Sequence, residues 1–362
     1  MQGGSVGLFR LLHASDLHIG QFANQLAFFD APSWMRVMHP RYFHRQSTHR
    51  SGALDAFLDI AEFNAHEIDA ILITGDIACR GSSADLQAAS RHLCQTKPHP
   101  AAPAPLTTCI APLCILPGNH DRFTVRPNHW LHFPFYGPGS SQFDTEFAEF
   151  WRGGQGCQIL FCGENADGSV LGIVGADLTL RKWDFGRGVL GWFGQGRVRN
   201  EHLGESQVAG SVKDQRDTET LSGQHANSLV HLTRQIRVRH PHAAVIWAIH
   251  FEPSTERNAL RLLDETKLHK AAKANDIDAI LCGHTHEGRD HLWRCTHIPE
   301  QSAPSVRVMT CGTTTRYHVG PDIRNEFNHV RIDVDPLRRR QTQFAVKTFQ
   351  YDGIRFNRAS PR

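Results

Sequence analysis

The feature that most constrains the fold of this chain is the alternation of short apolar runs with segments of helical periodicity. Six runs have the length and composition of buried strands, and they cover residues 8–14, 70–74, 109–116, 170–176, 243–249 and 277–282. Segments with a helical period lie between several of these runs, at residues 51–66, 83–95, 221–238 and 256–274. This alternation predicts an α/β fold in which a sheet is covered by helices on both faces.

The C-terminal part of the chain predicts further strands with no helix between them, at residues 306–310, 329–334 and 343–349. We expect a single domain over residues 1–362, because a chain of 362 residues that is 40% hydrophobic can form a large core. A Gly/aromatic insertion at about 181–220 interrupts the pattern. This insertion is either a surface loop or a mobile flap whose Trp192 and Phe193 cover a substrate.

Composition narrows the class of protein. The net charge of +3 is too close to balance to indicate nucleic-acid binding by itself. Nine cysteines occur without a Cys-x-x-Cys pair, which is typical of reduced, core-packed thiols. The N-terminus has no basic region followed by a long apolar stretch, and no apolar run approaches the ~20 residues that span a bilayer. We therefore expect a soluble cytoplasmic protein that does not act at a membrane.

Polar side chains follow five of the predicted strands at the point where each strand ends. These side chains are Asp16 and His18, Asp76, the run Asn119-His120-Asp121, His250, and the pair His284 and His286. Buried polar groups are costly unless they have a partner. Because sites in open α/β sheets form outside the carboxyl ends of the strands, we expect these groups to converge.

The residue types in these motifs favour a pair of metal ions. Imidazole, carboxylate and amide oxygen are ligands of divalent ions such as Mn, Fe, Zn and Co. The spacings Asp16-x-His18 and His284-x-His286 put both members of each pair on one side of an extended chain. Taken singly, Asp16 or Asp76 is also compatible with a helix N-cap, and a lone His250 with a satisfied core histidine.

The motifs SDLH, TGD, PGNHD, a His after an apolar strand, and GHTH occur in that order between Asp16 and His286. In this order they resemble the motifs of the calcineurin-like metallophosphoesterases. The segment SWMRVMHPRYFHRQSTHRSG is similar to a basic segment of one bacterial phosphodiesterase branch of that family. The resemblance implies a four-layer α/β/β/α sandwich of two mixed β-sheets flanked by helices.

The same resemblance implies a dinuclear centre of Mn, Fe or Zn ions. One ion would be held by Asp16, His18 and His286, and the other by Asn119, His250 and His284. The carboxylate of Asp76 would bridge the two ions. The resemblance also places His120 beside the metals, where it meets the substrate and is oriented by Asp121.

The chemistry that this centre implies is phosphoester hydrolysis. A phosphodiester is an anion that repels nucleophiles, and two cations both neutralise its oxygens and supply a bridging hydroxide for in-line attack. His120 is a candidate general acid for the leaving oxygen. We expect a phosphodiesterase that acts on a small nucleotide or cyclic nucleotide, with a phosphoester small molecule as its partner.

Three other functions compete with this one. A DNA nuclease of the same superfamily needs a broad basic surface, against which the near-neutral charge weighs. Hydrolysis of a pyrophosphate-linked lipid precursor needs an apolar groove that the sequence does not reveal. A metal-free scaffold for protein–protein contacts is a function of another class, and it conflicts with the presence of every expected ligand.

A basic segment at residues 34–52 lies between the first metal motif and the first predicted helix. It contains arginines and histidines but no acidic residue. It is either a solvated loop or a clamp in which Arg41 and Arg45 hold a substrate phosphate, since guanidinium groups bind phosphate oxygens in a bidentate manner.

Overall fold

A computed structural model gives the architecture of the chain. It describes residues 7–24, 26–27, 46–95, 105–122, 141–152, 156–179, 195–204, 227–255, 257, 260–293, 306–317, 324–337 and 342–359. Arg41, Arg45, Trp192 and Phe193 lie outside these residues, so the predicted clamp and most of the predicted flap do too.

The described residues contain two large sheets and several short bridged pairs. In chain order the strands are β1 Gly7–Ala14, β2 Leu26–Ala27, β3 Gln46–Ser47, β4 Ala70–Thr74, β5 Leu113–Leu116, β6 Cys157–Glu164, β7 Val170–Ala176, β8 Gly196–Arg197, β9 Ala244–Ile249, β10 Leu262–Leu263, β11 Ala279–Cys282, β12 Arg289–Trp293, β13 Val306–Thr310, β14 Glu326–Val334, β15 Gln343–Tyr351 and β16 Phe356–Arg358. The helices are α1 Ser51–Phe63, α2 Ser83–Cys94, α3 Asn119–Arg122, α4 Ser141–Glu146, α5 Asn200–Leu203, α6 Leu229–Arg239 and α7 Glu265–Ala274, with a 3₁₀ turn at Leu106–Thr108.

Both large sheets have six strands and mixed pairing. The first has the order β16-β15-β14-β1-β4-β5, and the second has the order β12-β13-β11-β9-β7-β6. In the first sheet β1, β4 and β5 are parallel, and β14 runs antiparallel to β1. In the second sheet β7, β9, β11 and β13 are parallel, with an antiparallel strand at each edge. The predicted two mixed sheets flanked by helices are confirmed.

The central strands of the second sheet are buried on both faces because their side chains alternate between two core clusters. Ala244, Ile246 and Ala248 of β9 belong to the cluster shared with the first sheet. Val245 and Trp247 belong to the cluster that this sheet forms with α6 and α7. Such strands read as continuous apolar runs, which is why the sequence pattern detects them.

Helix boundaries follow from capping and from local breaks. The Ser82 hydroxyl accepts a hydrogen bond from the Asp85 amide at the start of α2, and the Ser228 hydroxyl accepts one from the His231 amide at the start of α6. The predicted helix 256–274 is wrong in its first half. Leu262–Leu263 pairs with β8, and Asp264 adopts a left-handed φ of 61° immediately before α7.

The predicted strand 109–116 is also too long. Pro112 has no N–H, and only its carbonyl bonds, to the Ile71 amide at 3.0 Å. Ile110 is exposed, so the ladder begins only at Leu113.

None of the helices in the described part of the chain combines the length and apolarity needed to cross a lipid bilayer.

Candidate metal centre

The predicted ligands meet where the strands of both sheets end. The loops that carry them are joined by backbone hydrogen bonds: Asp16 N–H donates to Gly75 O at 3.0 Å, and Gly283 N–H donates to His250 O at 3.0 Å. His286 is 19% exposed, and the six other predicted ligands are buried. Residues up to 270 positions apart in the sequence thus share one small region, as their positions at strand ends predict.

Several of these residues adopt a left-handed backbone conformation that is unusual for side chains with a Cβ. The values of φ are 54° at Asp16, 51° at His18, 51° at Asp76, 73° at His284 and 60° at His286. Such conformations cost free energy and cluster at functional sites, where the surrounding structure maintains them. The sharp reversals after β1, β4 and β11 direct polar side chains into the space between the strand ends.

One group of ligand atoms converges on His250. Its Nε2 lies 3.3 Å from Asp76 Oδ2, 3.0 Å from Asn119 Oδ1 and 3.1 Å from His284 Nδ1. The opposite ring nitrogen, Nδ1, contacts the Thr74 carbonyl at 2.8 Å. A hydrogen bond from Nδ1 to that carbonyl leaves the Nε2 lone pair directed into the site, which is the usual arrangement of a metal-ligating histidine.

A second group surrounds Asp16. His286 Nε2 lies 3.0 Å from Asp16 Oδ1, and His18 Nε2 lies 3.8 Å from the same oxygen. The other carboxylate oxygen, Oδ2, accepts hydrogen bonds from Ser15 Oγ at 2.7 Å and from the His284 amide at 2.8 Å. One oxygen of Asp16 therefore accepts hydrogen bonds from Ser15 and from the loop after β11, and the other oxygen faces the imidazoles of His18 and His286.

The donor set fits two cations. Among the described residues, Asp16 Oδ1, His18 Nε2 and Asp76 Oδ2 are buried atoms with no hydrogen-bond partner. Metal–ligand bonds of ~2.0–2.2 Å bring ligand atoms to roughly 3–3.6 Å from one another, close to the separations around His250. In the described part of the chain, three groups of His and Asp could hold a metal ion: Asp16-His18-His286, His18-Asp76-His120 and Asp76-His250-His284.

The pKa values of the residues in the centre are shifted by burial and by the charged groups close to them. Burial, together with the nearby His250, lowers the pKa of His284 to about 3. Burial alone would lower the pKa of His250, but the charge of Asp76, 3.3 Å away, raises it to about 9. Burial likewise acts to raise the pKa of Asp76 and of Asp16, yet their histidine neighbours hold both below the usual range of a carboxyl group. The carboxylates of Asp16 and Asp76 are thus negative and close enough to influence each other, an arrangement that favours cations.

His120 borders the centre, but the structure corrects the predicted role of Asp121. His120 Nδ1 contacts the Cys79 carbonyl at 2.9 Å, and Nε2 faces Asp76 Oδ2 at 3.8 Å. The Asp121 carboxylate instead accepts hydrogen bonds from the amides of Gly118, Ile77 and Ala78. Asp121 therefore fixes the backbone of the turn, and the Cys79 carbonyl orients the His120 ring.

The segment that follows β13 also borders the centre, although it is not among the predicted site residues. The hydroxyls of Thr313 and Thr315 donate to the carbonyls of Asp16 and Leu17 at 2.8 and 2.6 Å, so they fix the loop after β1. Arg316 Nη1 lies 2.8 Å from His286 Nδ1, at the border of the metal centre. The run Thr-Thr-Thr-Arg shortly after a predicted strand was the available signal, although only its place in the sheet distinguishes it from a polar turn.

The end of the basic segment lies beside this border. The Arg50 amide donates to Thr315 O at 2.6 Å, and the Tyr317 amide donates to Thr48 O at 2.7 Å. His49 is buried, and its backbone forms an antiparallel β-bridge with that of Arg316. The described end of the segment therefore contacts the wall of the centre, whereas Arg41 and Arg45 lie outside the described residues.

The described end of the insertion is held by short β pairings outside the two large sheets. Gly196 forms an isolated β-bridge with Thr179, and Gly196–Arg197 pairs with Leu262–Leu263.

Cys282 and Cys311 are buried among strand residues, as expected for core-packed thiols. Burial raises the pKa of both thiols well above the usual range, so they stay neutral.

Comparison with protein families assigns this architecture. Residues 9–288 match the family described as calcineurin-like phosphoesterase. The chain belongs to this family. Membership of this family implies a metal-dependent phosphoester hydrolase, and the match includes every predicted ligand from Asp16 to His286. The predicted family is thus confirmed, while the substrate within the phosphoester class is a separate question.

Several solved structures are similar to the chain at low identity. TT1561 of Thermus thermophilus is 11% identical, with 94% of this chain and 99% of that chain covered and a TM-score of 0.38. The purple acid phosphatase PPD1 of yellow lupin is 10% identical, with coverages of 98% and 53% and a TM-score of 0.43. Vps29 of Entamoeba histolytica, complexed with Zn²⁺, is 10% identical, with coverages of 97% and 98% and a TM-score of 0.29.

These TM-scores are low, so the family assignment rests on the match over residues 9–288. Among curated proteins, none matches the chain significantly.

Proposed function

We propose that this protein hydrolyses phosphodiester bonds of a small nucleotide or cyclic nucleotide and that it needs two divalent or transition metal ions. The observation that carries the proposal is the convergence of Asp76 Oδ2, Asn119 Oδ1 and His284 Nδ1 on His250 Nε2, all within 3.3 Å. Four ligand atoms of three chemical types meet there, and one proton on a ring nitrogen cannot form a hydrogen bond with all of them. A single metal cation can be bound by all four atoms.

In this proposal the residues divide into two ligand sets that share one carboxylate. Asp16, His18 and His286 hold one ion, and Asn119, His250 and His284 hold the other. Asp76 belongs to both sets because its Oδ2 is buried, has no hydrogen-bond partner among the described residues, and lies near histidines on either side. When bound, the two cations supply Lewis-acid chemistry that neutralises phosphate oxygens and activates water near neutral pH.

His120 moves the proton in this proposal. Its Nδ1 contact with Cys79 O leaves Nε2 as the atom that exchanges a proton with the site. A proton on Nε2 can pass to the oxygen of the departing alcohol, which would otherwise leave as a poor leaving group. With 8% of its surface exposed, His120 lies at the border between the buried ligands and the substrate.

Arg316 contributes a permanent positive charge at the same border. Its guanidinium lies 2.8 Å from the His286 ring, and burial lowers its pKa although Asp16 and Asp76 act in the opposite direction. A guanidinium remains protonated under these conditions and donates to phosphate oxygens. We assign it the role of binding a substrate oxygen, and we retain Arg41 and Arg45 as a proposed clamp for a second phosphate.

The proposal is tested with a substrate panel on Mn²⁺-reconstituted protein. The panel contains bis-p-nitrophenyl phosphate, p-nitrophenyl phosphate, 3′,5′-cyclic nucleotides, and single- and double-stranded DNA. We expect hydrolysis of the aryl diester and of a cyclic nucleotide, and none after chelation. The Asp76→Ala protein, prepared in parallel, controls for contaminating phosphatases.

Two outcomes replace the proposal with its rivals. Preferred cleavage of DNA, with binding that weakens steeply as salt rises, identifies a nuclease. No activity on any substrate, together with no retained metal, identifies a metal-free scaffold. A strong preference for the aryl monoester contradicts the diesterase assignment and leaves the family assignment intact.

A further inference from the structure

Glu252 is a buried carboxylate that the proposed reaction does not use. It lies two residues after His250 and is 1% exposed. Its Oε2 accepts a hydrogen bond from Thr285 Oγ1 at 2.7 Å, and its Oε1 accepts one from Ser254 Oγ at 3.3 Å. Both oxygens therefore act as hydrogen-bond acceptors close to the proposed ligands in the chain. A buried carboxyl group whose partners among the described residues are hydroxyls needs a functional explanation.

Thr285 connects this carboxylate to two of the proposed ligands. It lies between His284 and His286, whose φ values of 73° and 60° make the loop Gly283-His284-Thr285-His286 sharply bent. The backbone on the metal side is held by the His284 amide, which donates to Asp16 Oδ2 at 2.8 Å. The Thr285 hydroxyl holds the loop from the other side. The bend is therefore fixed between Asp16 and Glu252.

The contacts around Glu252 form one continuous chain of hydrogen bonds when His291 carries its proton on Nε2. Ser254 has a single hydroxyl proton, and its donation to Glu252 leaves its oxygen free to accept from another group. His291 Nε2 lies 2.6 Å from that oxygen and is the donor in this arrangement. The chain from His291 through Ser254 to Glu252 fixes the carboxylate, and Glu252 in turn fixes Thr285.

We propose that Glu252 is a positioning residue that, through Thr285, sets the affinity of both cation sites. This inference rests on the proposed function, because it concerns the same ligands. Loop 283–286 supplies one imidazole to each ligand set, so a looser loop weakens both sites together.

The test compares Mn²⁺ affinities of near-isosteric variants by equilibrium dialysis. Glu252→Gln replaces one acceptor oxygen by an amide NH₂ group and keeps the shape, and Thr285→Val removes the hydroxyl and keeps the volume. We expect each to weaken Mn²⁺ binding at both sites by ~10–100-fold, the usual effect of losing an outer-shell partner. The double variant should be no weaker than the worse single variant, since the two residues act as one unit. Thr285→Ser keeps the hydroxyl and should restore wild-type affinity.

Thr233→Val is the matched control. Like Thr285, Thr233 is a buried threonine with a hydrogen-bonded hydroxyl, but it lies in α6, where it donates to the Leu229 carbonyl at 2.7 Å and accepts from Trp247 Nε1 at 2.9 Å. This variant should lose stability in thermal unfolding and keep wild-type Mn²⁺ affinity. Circular dichroism of the metal-free proteins establishes that each variant is folded.

Wild-type affinity in both Glu252→Gln and Thr285→Val would overturn the inference and leave the proposed function standing. Equal weakening in Thr233→Val would also overturn it, because general destabilisation would then explain the effect. A wild-type protein that binds no Mn²⁺ would overturn the proposed function and this inference together.

Discussion

At the scale of single residues, the centre depends on which nitrogen of each imidazole faces the ligand cluster. His250 and His120 each direct Nδ1 to a backbone carbonyl, of Thr74 and Cys79 respectively, and therefore present Nε2. His284 is turned the other way and presents Nδ1 to His250. These orientations are set by carbonyls at the ends of other elements. The chemistry of each ring thus depends on residues that are remote in sequence.

The His120 assignment predicts a loss that depends on the leaving group. Replacing His120 by Ala should leave metal content nearly unchanged and lower kcat by ~10²–10⁴ for an alkyl or nucleotide diester, whose leaving oxygen needs a proton. The loss should be much smaller for nitrophenyl esters, because nitrophenolate leaves without one. Steady-state kinetics on both substrate types provide the test, and equal losses on both would indicate that His120 only positions the substrate.

The Arg316 assignment predicts a defect in substrate binding rather than in metal binding. Arg316→Ala should lower kcat/KM by about 10–100-fold, since a hydrogen bond to a charged group contributes ~1.5–3 kcal/mol. Arg316→Lys keeps the charge and should recover part of the loss. Metal analysis of both variants distinguishes the alternatives: a protein that loses Mn²⁺ together with activity would show that Arg316 supports His286 instead.

The sequence allowed the prediction of the residues at the strand ends, because strand C-termini meet at one edge whatever the details of packing. It did not allow the prediction of the partners of Asp121. The turn after β5 folds back so that three amides, and no imidazole, face the carboxylate. Nor did it identify Arg316, because a single arginine after a threonine run has no distinguishing pattern.

At the scale of elements, an ion cluster fixes the turn that carries Asn119 and His120. Arg122, the last residue of α3, forms paired hydrogen bonds with Asp144 of α4 at 2.9 and 2.8 Å. It also donates to Asp177, just after β7, at 2.9 Å. The guanidinium further lies over the Phe143 ring, 5.2 Å from its centroid. One buried cation thus joins a turn, a helix and a strand end.

This cluster predicts a pH-dependent contribution to stability. Burial acts to raise the pKa of Asp177, but Arg122 and hydrogen bonds from Thr179 lower it below the ordinary value overall. A carboxyl group whose pKa is lower in the folded state stabilises the fold fully above its unfolded pKa of ~3.9, and this contribution is lost as the pH falls through the folded pKa.

Asp177→Asn should therefore lower the free energy of unfolding by about 2–3 kcal/mol at pH 7, where it leaves a buried guanidinium partly unpaired. The difference from wild type should narrow below about pH 4. Urea unfolding from pH 7 to about pH 3 measures it. A difference that stays constant over this range would show that the pair does not titrate with folding.

The strands that could be predicted most closely are apolar and largely buried. Ala70–Thr74 and Val170–Ala176 are buried at every residue and have the predicted bounds, as does Val306–Thr310, in which Arg307 is half-buried. The edge strands β6 and β12 were not predicted. Cys157–Glu164 has mixed burial and a bulge after Ile159, so no clear period of two remains in its sequence.

At the scale of the whole molecule, the sandwich creates the centre by joining two sheets. The first sheet supplies Asp16, His18, Asp76 and Asn119, and the second supplies the histidines that follow β9 and β11. Neither sheet alone carries all the ligands of either ion. Because Asp76 is the residue that both sets share, its removal should affect the whole centre, whereas Asn119→Ala should mainly impair one site.

The dinuclear centre is therefore tested most directly by the number of Mn²⁺ ions bound per chain, measured by equilibrium dialysis for wild type, Asn119→Ala and Asp76→Ala. We expect two ions for wild type, one tight and one weakened ion for Asn119→Ala, and weak binding at both sites for Asp76→Ala. Two tightly bound ions in the Asp76→Ala protein, or none in the wild type, would contradict the dinuclear centre.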